Sequence, residues 1–306
     1  PLCIIHPVEY ADDAAAAQRL VDLALDGGIN FFDTADVYSY GQSEQILGQA
    51  LKGKRQDVVL ATKLRGRMST EINDVGLSRH HIMASCEQSL KRLGTDYLDL
   101  YIVHSFDFVT PLEETLRALD DLVRQGKVRY LGCSNFAAWH LMKALAISDQ
   151  QNLERFVSLQ ALYSLVSRDL ENELVPLCLD QGLGITPWSP LAGGFLTGKY
   201  RRGQQAPADG RRTKERVNFI AVDEEKGYRI VDALEIVACN HNATIAQAAL
   251  NYLLRKPGVS SVLIGATKPE QLADNLKTVE WELTAEEMKT RSEEHTSELQ
   301  SLARIS

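Results

Sequence analysis

No apolar run in this chain approaches the roughly 18–20 residues that cross a bilayer as a helix, and Leu2-Cys3-Ile4-Ile5 is interrupted by Pro7 before it reaches the length of a signal-peptide core. Neither a membrane anchor nor export is expected. Cysteine is scarce: Cys3, Cys86, Cys133, Cys178 and Cys239 are odd in number and scattered, with no CxxC pair and no histidine at ligand spacing. That pattern argues against a disulfide framework and reads as reduced, mostly buried thiols in a cytoplasmic protein. Positive charge is also short, with 33 Lys and Arg against 41 Asp and Glu and a formal net charge of −8. Phosphate would be repelled over most of such a surface, so neither nucleic acid nor an anionic membrane is the expected partner. No GxGxxG turn follows an early strand, which counts against an open dinucleotide-binding sheet. Gly193–Lys199 fits GxxxxGK, but Tyr200 replaces the Ser or Thr that would hold magnesium and the stretch lies in a long loop. His80-His81 is adjacent rather than i, i+4, so no metal site is expected there.

What is present is enough apolar residue, 44% of 306, to bury a large core, and a regular rhythm. The run Ile29-Asn30-Phe31-Phe32 follows the turn-forming Asp26-Gly27-Gly28 and ends at Asp33, with Thr34-Ala35-Asp36-Val37-Tyr38 beyond it. Its β-branched and aromatic content predicts a strand that delivers polar groups at its C-terminal end. Val58–Thr62 ends in Lys63, and Tyr97–Val103 ends in His104. Helices are predicted from about Asp12 to Leu25, around Ser43–Leu51, over His80–Leu93 with Ser78 as cap, and over 112–125, 136–147 and 171–181. Strands are predicted at Val128–Cys133, Phe156–Leu162, Gly184–Trp188 and Val259–Gly265. Helices 224–240 and 244–255 precede the last strand, a helix over 269–279 follows it, and a polar loop spans about 193–221.

Alternation with a period near thirty residues implies right-handed βαβ units and a parallel sheet. Counting the weak run Leu2–Ile5 gives eight strands, the number at which the sheet closes, so the expected fold is α/β, a (β/α)8 TIM barrel over residues 1–290 as one domain. Its two ends depart from the regular pattern. The last sixteen residues, Arg291–Ser306, resemble the in-frame translation of a sequencing-library adapter and are set aside as a non-native tail.

In such a barrel the C-terminal ends of the strands meet at one mouth. That would gather Asp33, Tyr38, Lys63, His104, Ser134, Asn135, Gln160, Trp188, Ser189 and the turn Gly265-Ala266-Thr267-Lys268. The set has a chemical logic. An ammonium beside a tyrosine stabilises the phenolate, a carboxylate fixes the ammonium, and a neutral histidine orients a carbonyl oxygen. Taken singly each residue has a plainer explanation, and Ser134-Asn135 would also serve as a helix cap.

At Asp33-Thr34-Ala35-x-x-Tyr38, Ala61-Thr62-Lys63, Val103-His104, Gly132-Cys133-Ser134-Asn135-Phe136, Pro187-Trp188-Ser189-Pro190-Leu191-Ala192-Gly193-Gly194 and Gly265–Gln271 the chain resembles the aldo-keto reductase family, in order, over about residues 19–285. The resemblance implies reduction of an aldehyde or ketone by hydride from a nicotinamide cofactor. Tyr38 would be the general acid, Lys63 and Asp33 its tuners, and His104 the orienting group. Ser134, Asn135 and Gln160 would hold the carboxamide and Trp188 would stack on the ring. Ser189 and Leu191 would line the pyrophosphate, Lys268 and Gln271 with Asn275 would meet the adenosine end, and Gly265, Ala266 and Thr267 would also bind the cofactor. Lys268 would pair with a 2′-phosphate, which favours NADPH over NADH. Substrate choice would lie in loops 64–78, 105–111 and 193–221. The Asp33-Thr34-Ala35-x-x-Tyr38 and Trp188-Ser189-Pro190-Leu191-Ala192 stretches also resemble channel-associated β-subunits, so a cofactor-binding regulatory subunit is the alternative.

Overall fold

The structure is a computed structural model that describes residues 2–5, 14–208, 210–214 and 220–289. Asp12 and the 291–306 tail lie outside the described residues. The elements run β1 (Leu2–Ile5), α1 (Ala14–Asp26), β2 (Phe31–Asp33), α2 (Gln42–Ala50), β3 (Val59–Leu64), α3 (Arg79–Leu93), β4 (Leu98–Val103), α4 (Leu112–Arg124), β5 (Val128–Ser134), α5 (Ala138–Gln151), β6 (Phe156–Leu162), α6 (Leu174–Gln181) and β7 (Gly184–Trp188). They continue with α7 (Arg211–Lys214), α8 (Glu224–Asn240), α9 (Ile245–Leu254), β8 (Val262–Gly265) and α10 (Pro269–Leu276).

By their internal contacts these residues form two compact units. The first holds the described residues up to Leu162, Asp169–Trp188 and Pro257–Ala273, and with them all eight strands. The strands are parallel in the order β7-β6-β5-β4-β3-β2-β1-β8. The weak run Leu2–Ile5 is indeed the first strand, paired with β2 through Cys3 and Phe31 and with β8 through Cys3 and Leu263. The ring closes where Ile185 of β7 donates its N–H to Gly258 O (2.8 Å) and accepts from Ser260 N–H (2.9 Å). This is the expected (β/α)8 barrel.

The period of two along each strand sorts the barrel interior into layers. Phe31, Ala61, Leu100 and Ile102 pack into one apolar cluster. Gly132 faces the same cluster: a Cβ there would lie 3.3 Å from Ile102 and 3.4 Å from Leu100. Two residues further along the same strands come Asp33, Lys63, His104 and Ser134. An apolar floor and a polar ceiling therefore arise from one alternation.

The helices form where caps and periodicity indicate. Ser78 Oγ accepts from His81 N–H (3.3 Å) to start α3, whose Ile82, Cys86, Ser89, Leu90 and Leu93 are buried along one face. Gly94 ends the helix with its φ at +65°, a value that a side chain makes costly. α5 begins at Ala138 rather than 136, because Ala137 is extended (φ −70°, ψ 157°) and is the residue that caps the helix.

The second unit comprises Tyr163–Arg168, Ser189–Lys256 and the described residues from Asp274 on. The stretch expected as one long polar loop contains a 3₁₀ turn at Ala192–Thr197 and α7. Asp223 caps α8 and Thr244 caps α9 through Lys226 N–H (3.1 Å) and Gln247 N–H (3.2 Å). Buried Asn251 ties α9 to the segment 278–283 by donating to Thr278 O (2.9 Å) and Trp281 O (2.7 Å) and accepting from Leu283 N–H (3.3 Å). No helix among the described residues is long and apolar enough to cross a membrane.

Candidate active site

Strand ends bring the expected residues of the barrel unit together. Lys63 is fully buried, and its Nζ donates to Asp33 Oδ1, to Thr34 O (2.9 Å) and to the Tyr38 hydroxyl (3.4 Å). Burial opposes the charge on Lys63, yet the Asp33 carboxylate and the Tyr38 phenol outweigh it and raise its pKa. The other oxygen of Asp33 accepts from Gln160 Nε2 (3.0 Å). The Tyr38 and His104 rings meet edge to face, 5.8 Å between centroids. Burial, with the charges of Lys63 and Arg65, pushes the His104 pKa down to about 3. The imidazole is therefore neutral across the physiological range, with one nitrogen protonated and one not.

Ser134 and Asn135 do not cap α5, which starts behind Ala137. Asn135 Nδ2 donates to His104 O (3.0 Å) and Ser134 Oγ (3.0 Å), and its carbonyl oxygen accepts from Trp188 Nε1 (3.1 Å). The left-handed backbone at Asn135 aims its amide back across the mouth instead of along the helix. Ser134 and Gln160 are opposite each other in the β5–β6 register and both are buried. Two amides, a hydroxyl and a half-buried indole with its N–H pinned form a donor set and stacking face that suit a nicotinamide carboxamide and ring. At the end of β8, Ala266 is buried while Gly265, Thr267, Lys268 and Gln271 are exposed, and Gln271 Oε1 accepts from Thr267 N–H (3.0 Å). The Lys268 side chain is exposed at the start of α10. Ser189, Leu191 and Asn275 belong to the second unit: Ser189 takes φ +53°, Leu191 O accepts from Gly194 N–H (2.9 Å), and Asn275 is buried.

Behind Tyr38 lies a polar cluster that the motifs do not reveal. Glu44 is fully buried and accepts from Thr62 Oγ1 (2.6 Å) and Arg92 Nε (2.5 Å). Asp36, also fully buried, accepts from Val37 N–H (2.6 Å) and Ser85 Oγ (3.2 Å). The available signal is a charge on the core face of α2, where Ser43, Glu44, Leu47 and Ala50 are all buried. Burial, reinforced by the nearby Glu44 charge, pushes the Asp36 carboxyl up to about 7. The unfolded chain ionises this group near 3.8, so the folded state holds an extra proton between those values and loses stability as pH rises through that window. Asp36→Asn keeps an acceptor for Val37 and gives Ser85 a donor. Denaturant unfolding at pH 5 and pH 8 should show the wild type losing about 3 kcal/mol more than the variant, because each pH unit between 5 and the folded pKa costs about 1.4 kcal/mol. Equal losses would place the Asp36 titration elsewhere.

Residues 9–293 match the Aldo/keto reductase family. The chain is 40% identical over 276 residues to a probable voltage-gated potassium channel subunit beta of Oryza sativa subsp. japonica, covering 88% of this chain and 83% of that protein. It is 40% identical over 285 residues to the uncharacterized oxidoreductase YrpG of Bacillus subtilis, with 90% and 85% covered. It is 33% identical over 291 residues to versiconal hemiacetal acetate reductase of Aspergillus parasiticus, with 88% and 83% covered. The chain belongs to the aldo/keto reductase family.

Proposed function

We propose that the protein is an NADPH-dependent reductase of aldehydes and ketones in which Tyr38 is the general acid. The observation that carries this reading is the buried Lys63 ammonium held between the Asp33 carboxylate and the Tyr38 hydroxyl. The nicotinamide supplies hydride when bound. Tyr38 gives its proton to the carbonyl oxygen, and Lys63 stabilises the phenolate that remains. Asp33 holds Lys63 in place, and Gln160 holds Asp33. His104, neutral through burial and two neighbouring cations, donates its N–H to the same carbonyl oxygen and orients it.

In this reading Ser134, Asn135 and Gln160 take the carboxamide and Trp188 stacks on the ring. For Ser189, Leu191, Gly265, Ala266, Thr267, Gln271 and Asn275 the cofactor role rests on family resemblance. So does Lys268 as partner of a 2′-phosphate, the reason for naming NADPH rather than NADH.

The test is quenching of tryptophan fluorescence by NADPH, in wild type and Trp188→Phe, followed by NADPH oxidation with a generic aromatic aldehyde. Saturable quenching with turnover sustains the reductase reading. The rice relative's name favours a second reading, a cofactor-binding regulatory subunit. Quenching without turnover over a broad carbonyl panel would replace the first reading with that one.

A further inference from the structure

Arg65 stands at the mouth in a way that neither the barrel nor the proton-transfer residues require. It follows β3 directly, and because His104 N–H bonds to Leu64 O (3.0 Å) the register puts Arg65 opposite His104. Its backbone takes φ +118°, a conformation that side chains other than glycine's rarely accept. The strain is locked in from both sides. Arg65 O accepts from Gly76 N–H (3.0 Å), and a Cβ on Gly76 would lie 3.0 Å from Asp107. A Cβ on Gly66, the next residue, would lie 2.0 Å from Val37, the neighbour of Tyr38. The Arg65 backbone is thereby wedged between the turn that carries Tyr38 and the loop beyond His104.

The side chain has a charge without an ion-pair partner. Among the described residues no carboxylate lies within ion-pair distance of Arg65, and its buried Nε has no hydrogen-bond partner. Asp107 is near enough to sense the guanidinium, but its own oxygens are taken. They accept from Leu77 N–H (2.8 Å), Val109 N–H (3.0 Å) and Thr110 Oγ1 (2.8 Å). The Lys63 charge is matched by Asp33, whereas Arg65, the cation beside His104, has no direct ion pair among the described residues. A half-buried guanidinium whose Nε–H has no acceptor suits an anionic ligand, and its planar fork matches a carboxylate.

We propose that Arg65 is the specificity-determining residue and that the preferred substrate is an aldehyde or ketone bearing a carboxylate, which pairs with the guanidinium while the carbonyl lies at Tyr38 and His104. This rests on the carbonyl-reducing reading of the site.

The experiment compares kcat/KM for 4-carboxybenzaldehyde and its uncharged methyl ester in wild type, Arg65→Lys, Arg65→Gln and Arg65→Glu. Wild type should favour the acid. Arg65→Gln should cut the acid-to-ester ratio roughly ten- to hundredfold, mainly through KM, as expected for a charged hydrogen bond. Arg65→Lys, which keeps the charge and loses the planar fork, should give a ratio between those of wild type and Arg65→Gln, and Arg65→Glu should invert it and favour a trimethylammonio-benzaldehyde. A ratio near one in wild type, or one unchanged in Gln and Glu, would overturn the proposal. In parallel, calorimetry measures binding of 4-(hydroxymethyl)benzoate against benzyl alcohol to wild type and Arg65→Gln in the presence of NADP⁺. A wild-type preference for the anion that Gln removes supports Arg65 as the carboxylate-binding residue; if no aldehyde is reduced in that case, the reductase reading fails and the ligand is a carboxylate that is not reduced. No preference for the anion overturns it.

Discussion

Tyr38→Phe is expected to lower kcat for carbonyl reduction by at least about 10²- to 10⁴-fold, the usual contribution of a positioned general acid, with little change in NADPH affinity. The substitution removes one oxygen, and that oxygen is the hydroxyl 3.4 Å from Lys63 Nζ. The ring remains to meet His104 edge to face, so the mouth keeps its shape. Loss of turnover with retained quenching by NADPH would assign the proton to Tyr38. A variant with more than about a tenth of wild-type kcat would remove Tyr38 from the reaction and leave His104 or water as the proton source.

Lys63→Met is expected to cost both activity and stability. With no ammonium, the fully buried Asp33 loses its counter-charge and retains Gln160 Nε2 as a donor. Breaking one side of a buried ion pair costs about 3–5 kcal/mol, to be read as a shift in the denaturant midpoint at pH 7. The double variant Asp33→Asn with Lys63→Met, which carries no buried charge, should recover more than half of that loss and none of the turnover. If the single variant were as stable as wild type, Asp33 would have to be reached by solvent. If the double variant recovered activity, Lys63 would have no part in stabilising the phenolate.

The two effects have one origin. In the proposed mechanism Lys63 acts on Tyr38 from a buried position, and burial makes the same residue structurally expensive to remove. The Asp36 carboxyl, raised by burial and by the Glu44 charge to about 7, and the buried Glu44–Arg92 ion pair link stability to buried charge in the same way.

Much of the architecture was legible in the residues. The alternating strands and helices determined a (β/α)8 barrel, and each apolar run that ended in Asp33, Lys63 or His104 identified a mouth residue, because a parallel barrel places all such ends on one rim. Ser78 marked the start of α3 through a local capping rule that needs no tertiary context. What the tertiary structure alone decided is how those residues partner. That Ser134 and Asn135 turn away from α5 depends on a left-handed backbone and on the proximity of His104 O and Trp188, far apart in sequence. Glu44 and Asp36 show in the sequence only as charges among apolar neighbours; that both are buried, with Arg92 and Ser85 as partners, comes from the packing of α2 and α3. Arg65 reads as one more basic residue in a loop. Its strained backbone, tied to Gly76, and its lack of a direct ion pair depend on which distant segments meet there, and that is information that local propensity does not contain.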